Sequence, residues 1–293
     1  MGTDSASSTR NLKEFALRRN VPGGLRKLQF SRRVKAQRAA ALLSLEPQQF
    51  LLRGSSEEKK PWGQVLIQLL GNVNGQRILQ LGCSLGQFTV YLAQQGARIT
   101  AVEACPEALR VAERIAEING VDICFVNAFP DQVEVPPGTM DLVFALPTLH
   151  HLARPDVQAT FRRTHAALRR DGRAVFVEGV ESSPVFNFLQ NLMPAGKPTE
   201  EKYRPSILFR KQWQQWIVRQ EERDMDLSEF YEGARLFRQM RLHPLGLFSR
   251  LDRFALLRRR WLLQLIAKGD VSALALAPSL CRYARTVLVE YVK

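Results

Sequence analysis

The sequence predicts an α/β fold built on a parallel sheet, and three observations predict it. Between residues 77 and 180, short β-rich apolar runs alternate with helix-length amphipathic segments, the rhythm of βαβ units. The run "ILQLGCSLGQF", residues 78–88, breaks from a strand into small residues and resumes as a helix. An acid, Glu103, closes the next strand about twenty residues further on, the place of a ribose-binding carboxylate.

The elements follow in order. Polar "SSEEKKPW" leads into a helix with Val65, Leu66, Leu69 and Leu70 at helical spacing. Strands are predicted at Arg77–Leu81, Arg98–Glu103, Asp122–Val126, Met140–Ala145 and Arg173–Glu178, with helices at Gly86–Gln95, Pro106–Asn119 and Val157–Arg169 between them. The last helix runs into "RRDG", basic residues before a glycine, which suits a helix C-terminus. After Glu178 the alternation stops at a segment with Pro184, Pro194, Pro198 and Pro205. A helix is expected at Ile207–Arg219, strands at Leu236–Leu242 and Ala284–Val292, and an amphipathic helix in "SRLDRFALLRRRWLLQLIAKG".

The formal net charge of +14 is concentrated in the flanks. Residues 1–60 carry 13 basic against 5 acidic side chains, residues 61–180 carry 10 against 11, and residues 181–293 carry 19 against 12. Such flanks meet phosphate, anionic lipid or an acidic partner, or serve as a solvated face. This divides the chain into a basic, partly disordered arm (1–60, with 1–10 disordered and a basic helix in residues 23–45), a core (61–180), a helical insertion that includes the sixth strand (181–280) and a final strand (281–293). No apolar run has the length of a membrane span, the N-terminus has no secretory signal pattern, and Ala6 breaks a myristoylation pattern, so a cytoplasmic protein is expected. The four cysteines are widely spaced, without C-x-x-C or paired histidine ligands, and predict neither zinc nor a disulfide framework.

A strand that runs into a glycine turn and a helix aims free backbone amides at a ligand beyond the strand's end. A dinucleotide fingerprint starting at Gly82 needs glycine at 84 and 87, where Ser84 and Gln87 stand, so NAD is disfavoured. The spacing Gln80-x-Gly82-x-Ser84-x-Gly86 instead resembles the first motif of class I S-adenosylmethionine-dependent methyltransferases, D/E-x-G-x-G-x-G. "VEACPEAL", "VNAF", "MDLVFALPTLHHL" and "ALRRDGRAVFVE" are similar to that family's later motifs, the "LHHL" ending being common in its type 11 subgroup. Together they cover roughly residues 75–180 in register.

The resemblance implies a Rossmann-like sheet of seven strands, the last antiparallel, with helices on both faces, a helical insertion after strand five and a basic helical N-terminal arm. It implies S-adenosylmethionine as cofactor, held by Gln80, Gly82, Cys83, Ser84, Gly86, Glu103, Ala104, Asn127, Ala128 and Leu146. Glu103 takes the ribose hydroxyls, and Asn127 and Ala128 lie near the adenine. Gln80 keeps hydrogen-bonding capacity without the family's charge. The turn accommodates Ser84 provided its backbone stays at negative φ.

His150 and His151 lie just beyond the fourth strand and Glu178 closes its neighbour. One histidine is a candidate general base oriented by a carboxylate; the other reading is that the pair caps the next helix or packs beneath the cofactor. Phe186, Phe188, Trp213, Trp216, Phe230 and Tyr231 either line an acceptor pocket or form the core of the insertion. The expected activity is O-methylation of a small apolar or aromatic acceptor, with an anionic membrane surface as a possible partner. The rivals are an RNA or protein methyltransferase using the basic flanks, with the lack of an N-P-P-Y- or D-P-P-Y-type tetrapeptide after strand four speaking against RNA, and a retired cofactor-binding or membrane-surface protein.

Overall fold

The computed structural model describes residues 62–180, 205–219, 225–247 and 283–293 continuously, with scattered positions between 35 and 60 and between 188 and 280. Residues 1–10, most of the basic arm helix, Phe186 and the amphipathic segment 249–269, apart from Gly269, lie outside the described residues.

Helix α1 (Gly63–Leu70) leads into β1 (Arg77–Leu81), followed by α2 (Gln87–Gln94), β2 (Arg98–Glu103), α3 (Pro106–Ile118), β3 (Cys124–Asn127) and β4 (Met140–Ala145). A single 3-10 turn (Leu149–His151) precedes α4 (Arg154–Ala167) and β5 (Leu168–Gly179). Beyond the insertion come α5 (Arg210–Arg219), α6 (Leu227–Ala234), β6 (Gln239–Leu245) and β7 (Thr286–Val292).

The seven strands run in the order β3-β2-β1-β4-β5-β7-β6. The first five are parallel to their neighbours, and β7 is antiparallel to both β5 and β6. The chain order reverses between β1 and β4, so a crevice opens beyond the C-terminal ends of these strands.

Because both faces of the sheet are covered, the central strands bury consecutive residues rather than alternate ones: Ile78 to Leu81 and Leu142 to Ala145 are all at most 1% exposed. On one face, Leu66 and Leu70 of α1, Phe88 and Leu92 of α2 and Ile115 of α3 form one core. On the other, Phe161 of α4 meets Phe176, Phe230 and Tyr291 with ring centroids 5.2, 6.0 and 5.7 Å away. Gly233 lets α6 close onto this cluster, since a Cβ there would stand 2.5 Å from the Phe161 ring. Tyr291 donates its hydroxyl to the Phe230 carbonyl at 2.7 Å, so Phe230 is a core residue rather than a pocket wall. Tyr231 and Phe188 are exposed.

The expected helix at Val157–Arg169 begins earlier, where Pro155 sets the first turn, and ends at Ala167. "RRDG" is not a helix cap. Leu168 already pairs with Met140 and Arg173 with Leu142, so Arg169–Gly172 bulge out opposite the single residue Asp141. Asp141 anchors the bulge by accepting from the Arg169 side chain and from the Arg77 backbone N–H at 2.7 Å. The left-handed residue there is Asp171 (φ +58°), while Gly172 serves close approach to the Arg169 carbonyl.

Strand three starts at Cys124, the first residue to face Thr100 of β2. Strand six starts at Gln239, after Leu236 and Phe237 close helical turns, and continues through Pro244, which an edge strand tolerates. Strand seven starts at Thr286. No described helix is long and apolar enough to cross a membrane.

Candidate active site

The turn after β1 is built from three left-handed residues: Gly82 (φ +75°), Ser84 (φ +53°) and Gly86 (φ +77°). Gly82 and Cys83 both donate their N–H to the Val102 carbonyl at 2.8 Å, bending the chain across the end of β2. A Cβ on Gly82 would stand 2.4 Å from Thr148 Oγ1, so the absence of a side chain lets the β4 loop close against the turn.

Ser84 does not stay at negative φ as expected. The left-handed conformation costs a non-glycine residue about 1–2 kcal/mol. Holding it there, the Ser84 N–H donates to Glu103 Oε2 at 2.9 Å. Gly86 is the N-cap of α2 and supplies no side-chain cap, leaving the first-turn amides of that helix without one.

Glu103 is 3% exposed and is held at both oxygens. Oε1 accepts from the Cys105 N–H at 3.0 Å, Oε2 from Ser84, and the ammonium of Lys35 lies 3.3 and 3.2 Å from the two. Asn127 faces Glu103 across the β2–β3 pair and donates to its backbone carbonyl at 2.9 Å, tying the strand ends together. Ala104 is half-buried beside them. Ala128 and Leu146 pack against opposite faces of the sheet core. The Cys83 thiol is buried, and burial followed by the nearby Glu103 charge pushes its pKa up, so it stays a neutral thiol.

Gln80 is fully buried; its Oε1 accepts from the Thr89 hydroxyl at 2.6 Å, and its Nε2 has no partner among the described residues. The loss of charge at this position therefore leaves an unused donor below the turn. A cradle that a Cβ would fill, an orphaned donor and a buried carboxylate at the end of β2 fit a ligand with a ribose and a polar tail.

At the end of β4, Glu178 is completely buried and organises the "PTLHH" turn. Its Oε1 accepts from the N–H of Thr148, at 2.7 Å, and of Leu149; its Oε2 lies 2.8 Å from His150 Nδ1. With a carboxylate at Nδ1, the neutral ring carries its proton there and leaves Nε2 as an acceptor. His150 is thus the histidine the carboxylate orients.

The His151 ring lies 4.0 Å from that of His150. Burial, then the neighbouring positive groups His150 and Lys35, hold its pKa down to about 3. It is neutral in the folded protein above about pH 3. The unfolded chain protonates this residue near pH 6.5, so the contribution to stability is complete above that pH and is lost as pH falls toward about 3. The loss expected at pH 5 is about 2 kcal/mol, and a His151→Gln variant should flatten the dependence of unfolding free energy on pH between these limits. Urea titrations over a pH series measure it; equal slopes for the two proteins would show that another group dominates.

Thr148 and Lys35 were not legible as site residues. Thr148 matters through its backbone and its contact with Gly82, which no motif records. Lys35 reaches Glu103 across 68 residues of chain and is one of many cations in a basic arm.

The fold and this site define a Rossmann-like domain with two buried carboxylates, Glu103 and Glu178, at the ends of strands flanking the crevice. Residues 78–172 match the methyltransferase-domain family, and this stretch of the chain carries a methyltransferase domain. An uncharacterized methyltransferase of Synechocystis sp. is 31% identical over 115 residues, 39% of this chain and 52% of that protein. A ubiquinone biosynthesis O-methyltransferase of Methylocella silvestris is 36% identical over 104 residues, 36% of this chain and 40% of that protein. The chain spans about half the length of the curated relatives it matches. Among solved structures, an S-adenosylmethionine-dependent methyltransferase from Mesorhizobium loti superposes with a TM-score of 0.52 at 18% identity, covering 81% of this chain and 100% of that one. A Haemonchus contortus phosphoethanolamine N-methyltransferase in complex with S-adenosyl-L-methionine gives 0.50 at 18% identity, over 79% of this chain and 52% of that one. These two likenesses bear on the fold.

Proposed function

We propose that the protein is an S-adenosylmethionine-dependent O-methyltransferase of a small apolar or aromatic molecule, with His150 as general base. The observation that carries this reading is the 2.8 Å contact of Glu178 with His150 Nδ1, in a turn that packs against Gly82. Bound S-adenosylmethionine supplies an activated methyl group on a sulfonium. Transfer to an amine needs little help with a proton, whereas a phenol or alcohol is a reluctant nucleophile and benefits from a base.

The residues divide the work. Glu103 is the acceptor for the two ribose hydroxyls, and Gly82 to Gly86 leave backbone open for the polar tail, with Gln80 Nε2 as a donor beneath. Glu178 fixes the His150 tautomer, and His150 Nε2 takes the acceptor's proton while positioning of the two reactants lowers the barrier. The name shared by several relatives, ubiquinone biosynthesis O-methyltransferase, supports oxygen as the acceptor atom and an apolar acceptor. Leu208 and Phe209, 71% and 58% exposed, stand next to Arg210 and Lys211, a combination that suits collecting such an acceptor from an anionic lipid surface.

The test is transfer of labelled methyl from the cofactor to a panel of phenols and hydroquinones, with and without anionic vesicles, beside RNA and protein acceptors. Label in the phenolic products, released by His150→Ala at a rate at least about a hundredfold lower, is the expected result. Label only in RNA, protein or polar metabolites would overturn the proposal.

A further inference from the structure

Glu103 has no free acceptor position. A carboxylate offers about four lone-pair sites, two on each oxygen. The Ser84 and Cys105 amides take one on each oxygen, and the Lys35 ammonium takes the other on each, at 3.2 and 3.3 Å. A ribose diol needs the same two positions, one hydroxyl per oxygen. The backbone amides belong to the turn and to the start of α3 and cannot leave without unmaking them, whereas the Lys35 side chain is 29% exposed and ends a flexible stem.

The arm that brings Lys35 there is docked. Ala39 and Phe50 are buried in the core formed with α1, α2 and α3, and Leu42 packs against it. Asn119, just after α3, accepts from the Leu52 N–H at 3.0 Å and donates to the Phe50 carbonyl at 2.8 Å. The described residues between Lys35 and Leu43 are helical, so the lysine is presented by an ordered element rather than a free tail.

We propose that Lys35 is an affinity-setting residue that occupies the ribose-diol positions of Glu103, so that the arm's ammonium and the cofactor's ribose exchange at this one carboxylate. The inference rests on the reading of Glu103 as the ribose acceptor. It makes the arm an internal competitor: every binding event has to displace an ion pair whose acceptor is buried. It also gives the exchange a salt dependence, since added salt weakens a partly exposed ion pair but not a diol's neutral hydrogen bonds.

The test is calorimetric titration of the full chain with S-adenosylhomocysteine, for the natural protein, Lys35→Met and Lys35→Arg, at low and high salt. Hydrogen exchange of the peptide around residues 35–43 is followed in parallel. Lys35→Met should bind about three- to tenfold more tightly and show a smaller salt effect, while Lys35→Arg, which keeps a two-pronged donor, should bind no more tightly than the natural protein. Because Ala39 and Phe50 hold the arm to the core independently of Lys35, exchange around residues 35–43 should change little on ligand binding or in Lys35→Met, so that a difference in affinity reports the side chain and not undocking of the arm. Equal or weaker binding by Lys35→Met would overturn the competition and make Lys35 part of the cradle, with the cofactor reading intact. No binding by any of the three proteins would overturn both.

Discussion

Gly86→Ala is expected to lower the unfolding free energy by about 2–4 kcal/mol, a large share of the roughly 5–15 kcal/mol that holds a native domain. Two effects add. The backbone at residue 86 lies at φ +77°, where a side chain is strained, and the new Cβ would stand 2.5 Å from Ala112 Cβ and 2.9 Å from Ala112 Cα. The second contact is with the backbone of α3, which cannot swing aside as a long side chain would, so relief requires α2 and α3 to part. The same turn supplies a control. Ser84 is also left-handed, at φ +53°, yet Ser84→Gly should change stability by no more than about 1 kcal/mol, because released strain is offset by the greater freedom of glycine in the unfolded chain. Urea unfolding of both variants measures the contrast; two equal, small changes would show that α2 and α3 are not in contact through Gly86.

These two positions also show what a sequence can and cannot disclose. The strands and helices of the sheet core declare themselves because burial on both faces favours near-continuous apolar runs: Leu142–Ala145 is unbroken, and Ile78–Leu81 is interrupted by the buried Gln80 alone. Gly82, Gly86 and Glu103 are legible because a tight turn before a helix and an acid at the next strand's end have few substitutes. The backbone angle of Ser84 is not legible: serine is rarely left-handed, and the Glu103 carboxylate that accepts from its N–H lies nineteen residues away. The bulge at Arg169–Gly172 is hidden for a related reason. Basic residues before a glycine suit a helix end, and what overrides that local preference is Asp141 on the neighbouring strand. Lys35 is the extreme case, one cation of an arm whose place is set by tertiary contacts of Ala39 and Phe50.

Glu178→Gln should separate the structural part of the site from its chemistry. The buried carboxylate has two duties: Oε1 accepts the Thr148 and Leu149 amides, and Oε2 faces His150 Nδ1. A glutamine oxygen can keep the first duty, so the fold and S-adenosylhomocysteine affinity should be nearly unchanged. Its amide nitrogen then faces Nδ1 as a donor, which forces the imidazole proton onto Nε2 and removes the acceptor that a phenol's proton needs. With a phenolic acceptor, kcat should fall by about 10²–10⁴, matching His150→Ala, and the double variant should fall no further because both changes disable one unit. Glu178→Ala differs in kind, since it leaves the two amides without their buried partner and should cost about 2–4 kcal/mol of stability. A Glu178→Gln protein with natural kcat would sink the base assignment for His150 and reduce Glu178 to the anchor of its turn, whereas loss of fold in Glu178→Gln shifts the decision to His150→Ala, which leaves the Glu178 carboxylate in place to accept the Thr148 and Leu149 amides.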